Sequence, residues 1–455
     1  MHSKPVNLLM QASSAVLLSK RQPKMRLKAL SLQSEAFSAV RAEIGNLQGL
    51  VVSDELMLSS IIAGLTSAWY DVNDIGLSHV LGSQVLLSIW LKSQNYRLKY
   101  QQTFILGAYI YWFMIAAFVS GDPWSSFMYQ EALQQAVRDL EMSHDPDDTN
   151  VPGELRKVFP HPLTGFSMQL YILIGKVGSL CRLQHSVVAP SDGIRGFIDE
   201  KVQSVESELL NIVLSRQSNF RDPQDPHTTV DEILKVGEAF RFAGLLQLYT
   251  AFPRLLEIQA QHSAMDDGWA HKGMYTSTQM EADGPSPIEG VMSMQKNWLR
   301  ALAFHILQIL EPVPATSGTR GYLGLPVLIA GSWLIDPVDM NCSDPDNKGN
   351  QFAIEHPRLP LLEGIPEKEY WREIVREGLR RHNDYVGLQQ VSRILEILEE
   401  VWHLDDSGTT KCDCKQLWIF IHMLPNPLRL ILHLVYSVLL NCCPQRKQYS
   451  RNLLD

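Results

Sequence analysis

The sequence predicts an all-α protein, a large multi-helical assembly of packed helical hairpins. Two observations carry this. Apolar residues recur at three- and four-residue steps along most of the 455 residues, which places them on single helical faces. No alternating strand pattern with turn signals recurs, and the βαβ rhythm of a nucleotide-binding sheet is absent. With 45% hydrophobic residues and a net charge of −9, the chain is too apolar for disorder and long enough to bury a sizeable core without staples.

The elements follow in order. Phe37, Val40, Ile44 and Leu47 form one helical face. Ser53 before Asp54 and Glu55 marks a helix start, because its oxygen can accept from a free amide and acids suit the positive helix end. Leu58, Ile61, Ile62, Leu65 and Trp69 are expected to continue the buried face of that helix, up to the break at Asp71–Gly76. A further helix runs from Val80 to Leu91. Phe104 to Val119 carries no charge and stops before Gly121-Asp122-Pro123. At 16 residues it falls short of the ~20 that cross a bilayer, so it reads as a central core helix.

His144 to Asp148 reads as a polar loop. Leu170, Leu173, Ile174, Val177 and Leu180 make the next face, then Val205, Leu209, Leu210, Ile212 and Val213 another. A Pro- and Asp-rich break near Asp222 to His227 precedes a long helix from Leu234 to Phe252. Residues 261–290 are polar and aperiodic and are expected to be a flexible surface insertion. Trp298 to Leu310 is helical again, and Leu323 to Trp333 is short, apolar and buried. A helix from Glu367 to Arg381 follows. Asn383 and Asp384 are expected to cap the start of the most clearly amphipathic helix, with Leu388, Val391, Leu395, Leu398 and Trp402 on its apolar face. The domain division is therefore 1–405 for the helical unit, with 406–455 a divergent C-terminal tail.

No catalytic or ligand-binding residue is assigned, no metal site and no cofactor. HExxH, GxSxG, GxGxxG and P-loop sequences do not occur. Gly318, Gly321 and Gly324 follow no strand and read as a loop. Cys412-Asp413-Cys414 would leave a tetrahedral zinc site half empty. The six cysteines read as free thiols in a reduced compartment, since no secretory leader precedes them. The basic stretch Lys20, Arg21, Lys24, Arg26 and Lys28 reads as a charged linker between two helices, against nuclear import or phosphate contact as the alternative. Leu417 to Leu440 is interrupted by Pro425, Asn426, Pro427 and Arg429, which argues against a membrane anchor.

Several stretches resemble one family, the regulatory domain of fungal zinc-cluster transcription factors, of the second fungal-specific type. Leu8–Leu18 with Ala36–Ile44 is similar to its first helices. Asp54–Val72 followed by Gly76–Leu87 resembles its acidic-leucine helix and histidine–leucine element, and His161–Arg182 and Glu238–Phe252 resemble two later helices. Ile306–Pro314, Leu323–Gly331 and Leu388–Trp402 complete the order. The matched positions are packing positions, so no functional residue carries over.

The resemblance implies a non-enzymatic regulator of transcription in a fungal nucleus, controlling a metabolic or secondary-metabolite gene set. Its partners would be a DNA-binding regulator or coregulator, a second copy in a homodimer, and a small-molecule effector, with no membrane. The family's N-terminal module of six closely spaced cysteines has no counterpart before Cys181, so direct zinc-dependent DNA reading is not expected. Two other classes remain. A helical enzyme of secondary metabolism would need a paired acidic metal motif, for which Asp145-Pro146-Asp147-Asp148 is the nearest candidate. A membrane-associated protein would use Phe104–Val119 and the tail.

Overall fold

A computed structural model describes residues 3–19, 21–47, 51–71, 74, 76–94, 98–142, 160–186, 192–212, 220–256, 287–335, 368–386 and 389–407. Among them there is no strand, only an isolated bridge between His161 and Gly165. The all-α prediction holds. In order the helices are α1 (Lys4–Leu18), α2 (Met25–Gly45), α3 (Asp54–Leu65), α4 (Ser67–Tyr70), α5 (Leu77–Ser93), α6 (Tyr100–Ala117) and α7 (Pro123–Met142). There follow α8 (Met168–Ser186), α9 (Asp192–Asn211), α10 (Val230–Ala251) and α11 (Pro287–Leu310). A 3₁₀ turn (Gly318–Tyr322) leads into α12 (Gly324–Gly331), and α13 (Lys368–Val386) and α14 (Gln389–Asp406) complete the set.

Most of the charge-free stretch falls in α6, which starts earlier, at Tyr100, and ends at Ala117, leaving Phe118 and Val119 in the turn beyond it; α6 lies at the centre. It packs against α3, α5, α7 and α8, and α8 in turn contacts α9 and α10. The second half continues the layer, with α10 on α11 and α12, and α12 on α14. One continuous apolar cluster runs through these helices from Val52 to Trp402. The α1–α2 hairpin lies outside it on α3, over two small satellite clusters built largely from Ala12, Ala15, Ala29, Ala36 and Ala63. Among the described residues, no helix is long and apolar enough to cross a membrane.

Helix α3 shows how local signals and packing combine. Ser53 caps it as expected, accepting from the Leu56 N–H at 3.1 Å. Asp54, in the first turn, then joins three helices. Its carboxylate accepts from the Trp90 indole of α5 at 2.8 Å and from the Gln102 amide of α6 at 3.2 Å. The expected face is displaced. Leu56, Met57, Ile61 and Gly64 are buried, whereas Leu58, Ile62 and Leu65 are half-buried. The helix also ends at Leu65, so Trp69 belongs to the short α4. The reason is that α3 has neighbours on two sides, α1 and α2 on one and α5 and α6 on the other, so no single stripe describes it.

Three other boundaries move. α11 begins at Pro287, inside the stretch expected to be an insertion through 290; residues 261–286 lie outside the described residues. α10 begins four residues before Leu234, where Thr229 and Glu232 form a reciprocal capping box. Asn383 and Asp384 do not cap α14. They lie within α13, which continues to Val386.

Packing at α6 makes one sharp demand on sequence. A Cβ at Gly64 would lie 1.8 Å from the Trp112 ring, and Trp112 is 2% exposed. Gly64→Ala should therefore destabilise the protein by about 3 kcal/mol through overpacking. A urea-unfolding midpoint unchanged from the parent protein would show that the α3–α6 approach is not as close as described.

Candidate functional site

The most elaborate polar construction joins α12, α13 and α14. On α13, Lys368, Arg372, Arg376 and Arg380 recur every fourth residue and so share one helical face. Arg372 is fully buried. Its Nε donates to the Leu334 carbonyl at 2.8 Å, and its terminal nitrogens donate to Glu369 at 2.8 Å, Asp405 at 3.2 Å and Asp406 at 2.8 Å. Lys368 adds a contact to Asp406 at 2.9 Å, and Arg376 grips Glu399 at 2.7 Å and 3.2 Å. Both guanidinium groups lie against the Trp402 ring, at 5.4 Å for Arg372 and 5.0 Å for Arg376. The Trp402 indole itself donates to the Gly331 carbonyl of α12 at 2.9 Å.

A buried charge is tolerated only when paired and hydrogen-bonded, and this clasp meets that condition. Burial alone would raise the Asp406 carboxyl, but Lys368 and Arg372 hold it below its ordinary value. The side chain of Glu399 raises the Arg376 guanidinium in turn.

Beside the clasp, α13 and α14 border an open groove of about 670 Å³. Leu379 and Leu395 supply apolar lining, and Glu396, Glu399, Glu400, Arg380 and His403 the charged and polar part. Ser392 and Asn383 complete the lining. Among the described residues no three His, Cys, Asp or Glu side chains gather in a way that could hold a metal.

A second polar seam crosses the interior between α7, α8 and α9. Lys176 of α8 is 2% exposed and donates to Glu131 and Gln134 of α7, with its ammonium 5.8 Å from the Phe127 ring centre. Glu131 also faces Lys201 of α9 at 3.7 Å. Glu208 of α9 accepts from Gln134 at 2.7 Å and from Arg138 at 2.5 Å. Burial pulls the Lys176 ammonium below its ordinary value despite Glu131. Burial would raise Glu131, but Lys176 and Lys201 keep it low. The pair ties α7 to α8, with Lys201 of α9 at its edge.

The third feature is His161. In the turn His161–Gly165 the two residues exchange backbone hydrogen bonds at 2.8 and 2.9 Å, and Gly165 has φ +57°. The His161 Nδ1 accepts from the N–H groups of Leu163 and Thr164 at 3.1 and 3.0 Å. Its proton therefore sits on Nε2, which donates to the Phe104 carbonyl of α6 at 2.9 Å. Burial pushes the imidazole down to about 4, partly opposed by that carbonyl. His161 is a structural pin between the turn and α6.

The residues weighed from sequence fall differently. His144–Asp148, the Cys412-Asp413-Cys414 pair, Cys442, Cys443 and Leu417–Leu440 lie outside the described residues. Gly318 and Gly321 are in the 3₁₀ turn and not in a loop, and Gly324 opens α12. The Gly318 amide is used by Thr228 at 2.8 Å. Cys181 is buried, and its burial pushes the thiol up to about 12. Arg21 and Lys24 do lie between two helices, whereas Arg26 and Lys28 belong to α2. The clasp, the seam and His161 were not singled out from sequence.

A family model described as fungal specific transcription factor domain matches residues 1–424. No curated protein and no solved structure matches the chain.

Two outcomes follow from this geometry. Arg372→Ala removes the buried side chain that joins the Leu334 carbonyl to Asp405 and Asp406 and should cost about 3 kcal/mol of stability, measured as a urea midpoint; a change below ~1 kcal/mol would place the clasp among ordinary surface pairs. For His161, the unfolded chain binds more protons between the ordinary histidine value of 6.5 and about 4. Its contribution is thus complete above about pH 6.5 and is lost as pH falls toward 4. In His161→Asn this part of the acid destabilisation should disappear; identical pH profiles of the melting temperature in both proteins would refute it.

Proposed function

The chain belongs to the fungal specific transcription factor domain family, and from that premise we propose that it regulates a fungal metabolic or secondary-metabolite gene set from the nucleus, through a protein partner. The carrying observation is the extent of the match. Residues 1–424 include every described helix, so the regulatory role attaches to the whole helical unit. A transcription factor domain is a regulatory unit, which supports this reading over an enzymatic one.

Partner binding is supported by the groove on α13 and α14. Small-molecule sites are concave and bury most of the ligand. This groove is open, bordered by two long helices and rimmed by charge, which suits a segment of another protein better than an effector. Its walls are held by the clasp, so its shape is set before a partner arrives. Pre-organisation of that kind lowers the entropy cost of binding.

The test is chromatin occupancy of the tagged chain together with expression profiling after deletion. We expect a nuclear signal, occupancy at a limited set of promoters, and altered transcripts from metabolic genes. A signal outside the nucleus with unchanged transcripts would overturn the reading.

A further inference from the structure

The tip of the α1–α2 hairpin combines two properties that set it apart from the rest of the surface. The first is charge. Residues 1–34 contain six cations and no acid, in a chain whose net charge is −9. Lys4 is matched by Glu35 at 3.0 Å, and Arg26 donates to the Tyr70 carbonyl. Arg21, Lys24 and Lys28 are exposed and make no ion pair among the described residues.

The second property is exposed leucine. Leu27 is 77% exposed, more than any other large apolar residue described, and Leu18, Leu30 and Leu17 follow at 47%, 41% and 38%. These residues lie at the end of α1 and the start of α2, on either side of the short connection that carries Arg21 and Lys24. They are not spare core. The inner seam of the hairpin is closed by alanines, with Ala12, Ala29 and Ala36 fully buried, and by Met25 and Leu32 over Tyr70. The leucines face outward because the inside is already full.

From this pairing of unmatched cations with exposed leucines, we propose that the hairpin tip docks an acidic amphipathic segment of a partner protein, one that presents Asp and Glu beside large apolar side chains. Charge complementarity selects an anionic occupant, and the leucines select its type. A phosphate backbone satisfies Arg21, Lys24 and Lys28 but gains nothing from Leu27 and Leu30. An interfacial membrane helix presents a broad apolar face with aromatic anchors, whereas the exposed part of this tip has neither Trp nor Phe. An acidic helix with apolar anchors uses both properties at once. The inference rests on the regulatory reading above, since it names the chemistry of one of the partners.

The experiment is fluorescence anisotropy on the full chain, with a labelled synthetic peptide carrying Asp and Glu on one helical face and Leu and Phe on the other. The peptide should bind, and more weakly as salt rises. Affinity should fall about tenfold or more in Lys24→Glu/Lys28→Glu and, separately, in Leu27→Ser/Leu30→Ser. Unchanged thermal midpoints in both variants would confirm that these exposed positions were altered without unfolding. Equal binding by parent and variants, or no binding by the parent, would overturn the proposal. So would tighter binding to a mixed-sequence DNA duplex, or to vesicles containing anionic phospholipid, than to the peptide. Because the measurement is made on purified protein, its failure would remove this surface and leave the chromatin and expression results untouched.

Discussion

The fold depends on hiding α6. Without a single charge from Tyr100 to Ala117, this helix buries most of its side chains and leaves Phe104 and Ile115 partly exposed, and that burial requires neighbours on several sides. α3, α5, α7 and α8 supply them. The approach is close where small residues permit, as at Gly64, whose missing side chain leaves room for Trp112. It is held in register where a polar group can be spared. Asp54 fixes α3 to both α5 and α6, and His161 fixes the turn before α8 to α6. The second half of the chain then extends this core through α8 and α10 without starting a new one.

Polar groups inside such a core carry a desolvation cost of several kcal/mol each when unpaired, so their distribution is informative. Lys176 and Arg372, the two most buried Lys and Arg side chains among the described residues, are each held by several acceptors, Lys176 by Glu131 and Gln134 of α7 and Arg372 by the Leu334 carbonyl and two acids of α14. Neither pairing is needed to gain stability over an apolar substitute. What each does is specify. Lys176 with Glu131 permits one arrangement of α7 against α8, with Lys201 of α9 at the edge. Arg372, reaching Leu334 and Asp406 together, permits one placement of α13 between α12 and α14. The larger and less regular the helical assembly, the more alternative packings its greasy stripes allow, and directional contacts reduce that number.

Much of this was legible in the sequence, and the failures share a cause. Ser53 announced a helix start, the uncharged run announced the central helix, and Leu170 to Leu180 announced α8. Those signals are local, and the structure keeps them. The Thr229–Glu232 spacing was equally local and could have set the start of α10. Asn383 and Asp384 misled because their cap propensity is a weak preference, whereas α13 is extended by contacts to α14 that no local window contains. The face of α3 was misread because a single stripe assumes a single partner. The clasp had a visible trace in Lys368, Arg372, Arg376 and Arg380 at four-residue steps. A cation ladder on a helix, however, is ordinarily solvated. Only the proximity of Leu334, Asp405 and Asp406, distant in sequence, turns it inward. His161 gave no trace, because its partner is the backbone carbonyl of Phe104.

The placement of the clasp bears on how a partner at the α13–α14 groove could be felt elsewhere. α14 touches α12 on one side and the short α4 on the other, and α4 follows directly on α3, which carries the α1–α2 hairpin. A bound segment shifts an equilibrium only by its difference in affinity for two arrangements. The arrangement described here is held by Arg372, Arg376 and Trp402, so a partner that bridged Leu379 and Leu395 would reinforce it. One that drew Glu399 away from Arg376 would loosen the support of the Trp402 ring and, through its indole, the bond to the Gly331 carbonyl of α12. The groove is therefore joined to the core through a small number of directional contacts and not through bulk apolar packing alone. That is the condition under which occupation of an exposed surface can change the packing of a helix buried behind it.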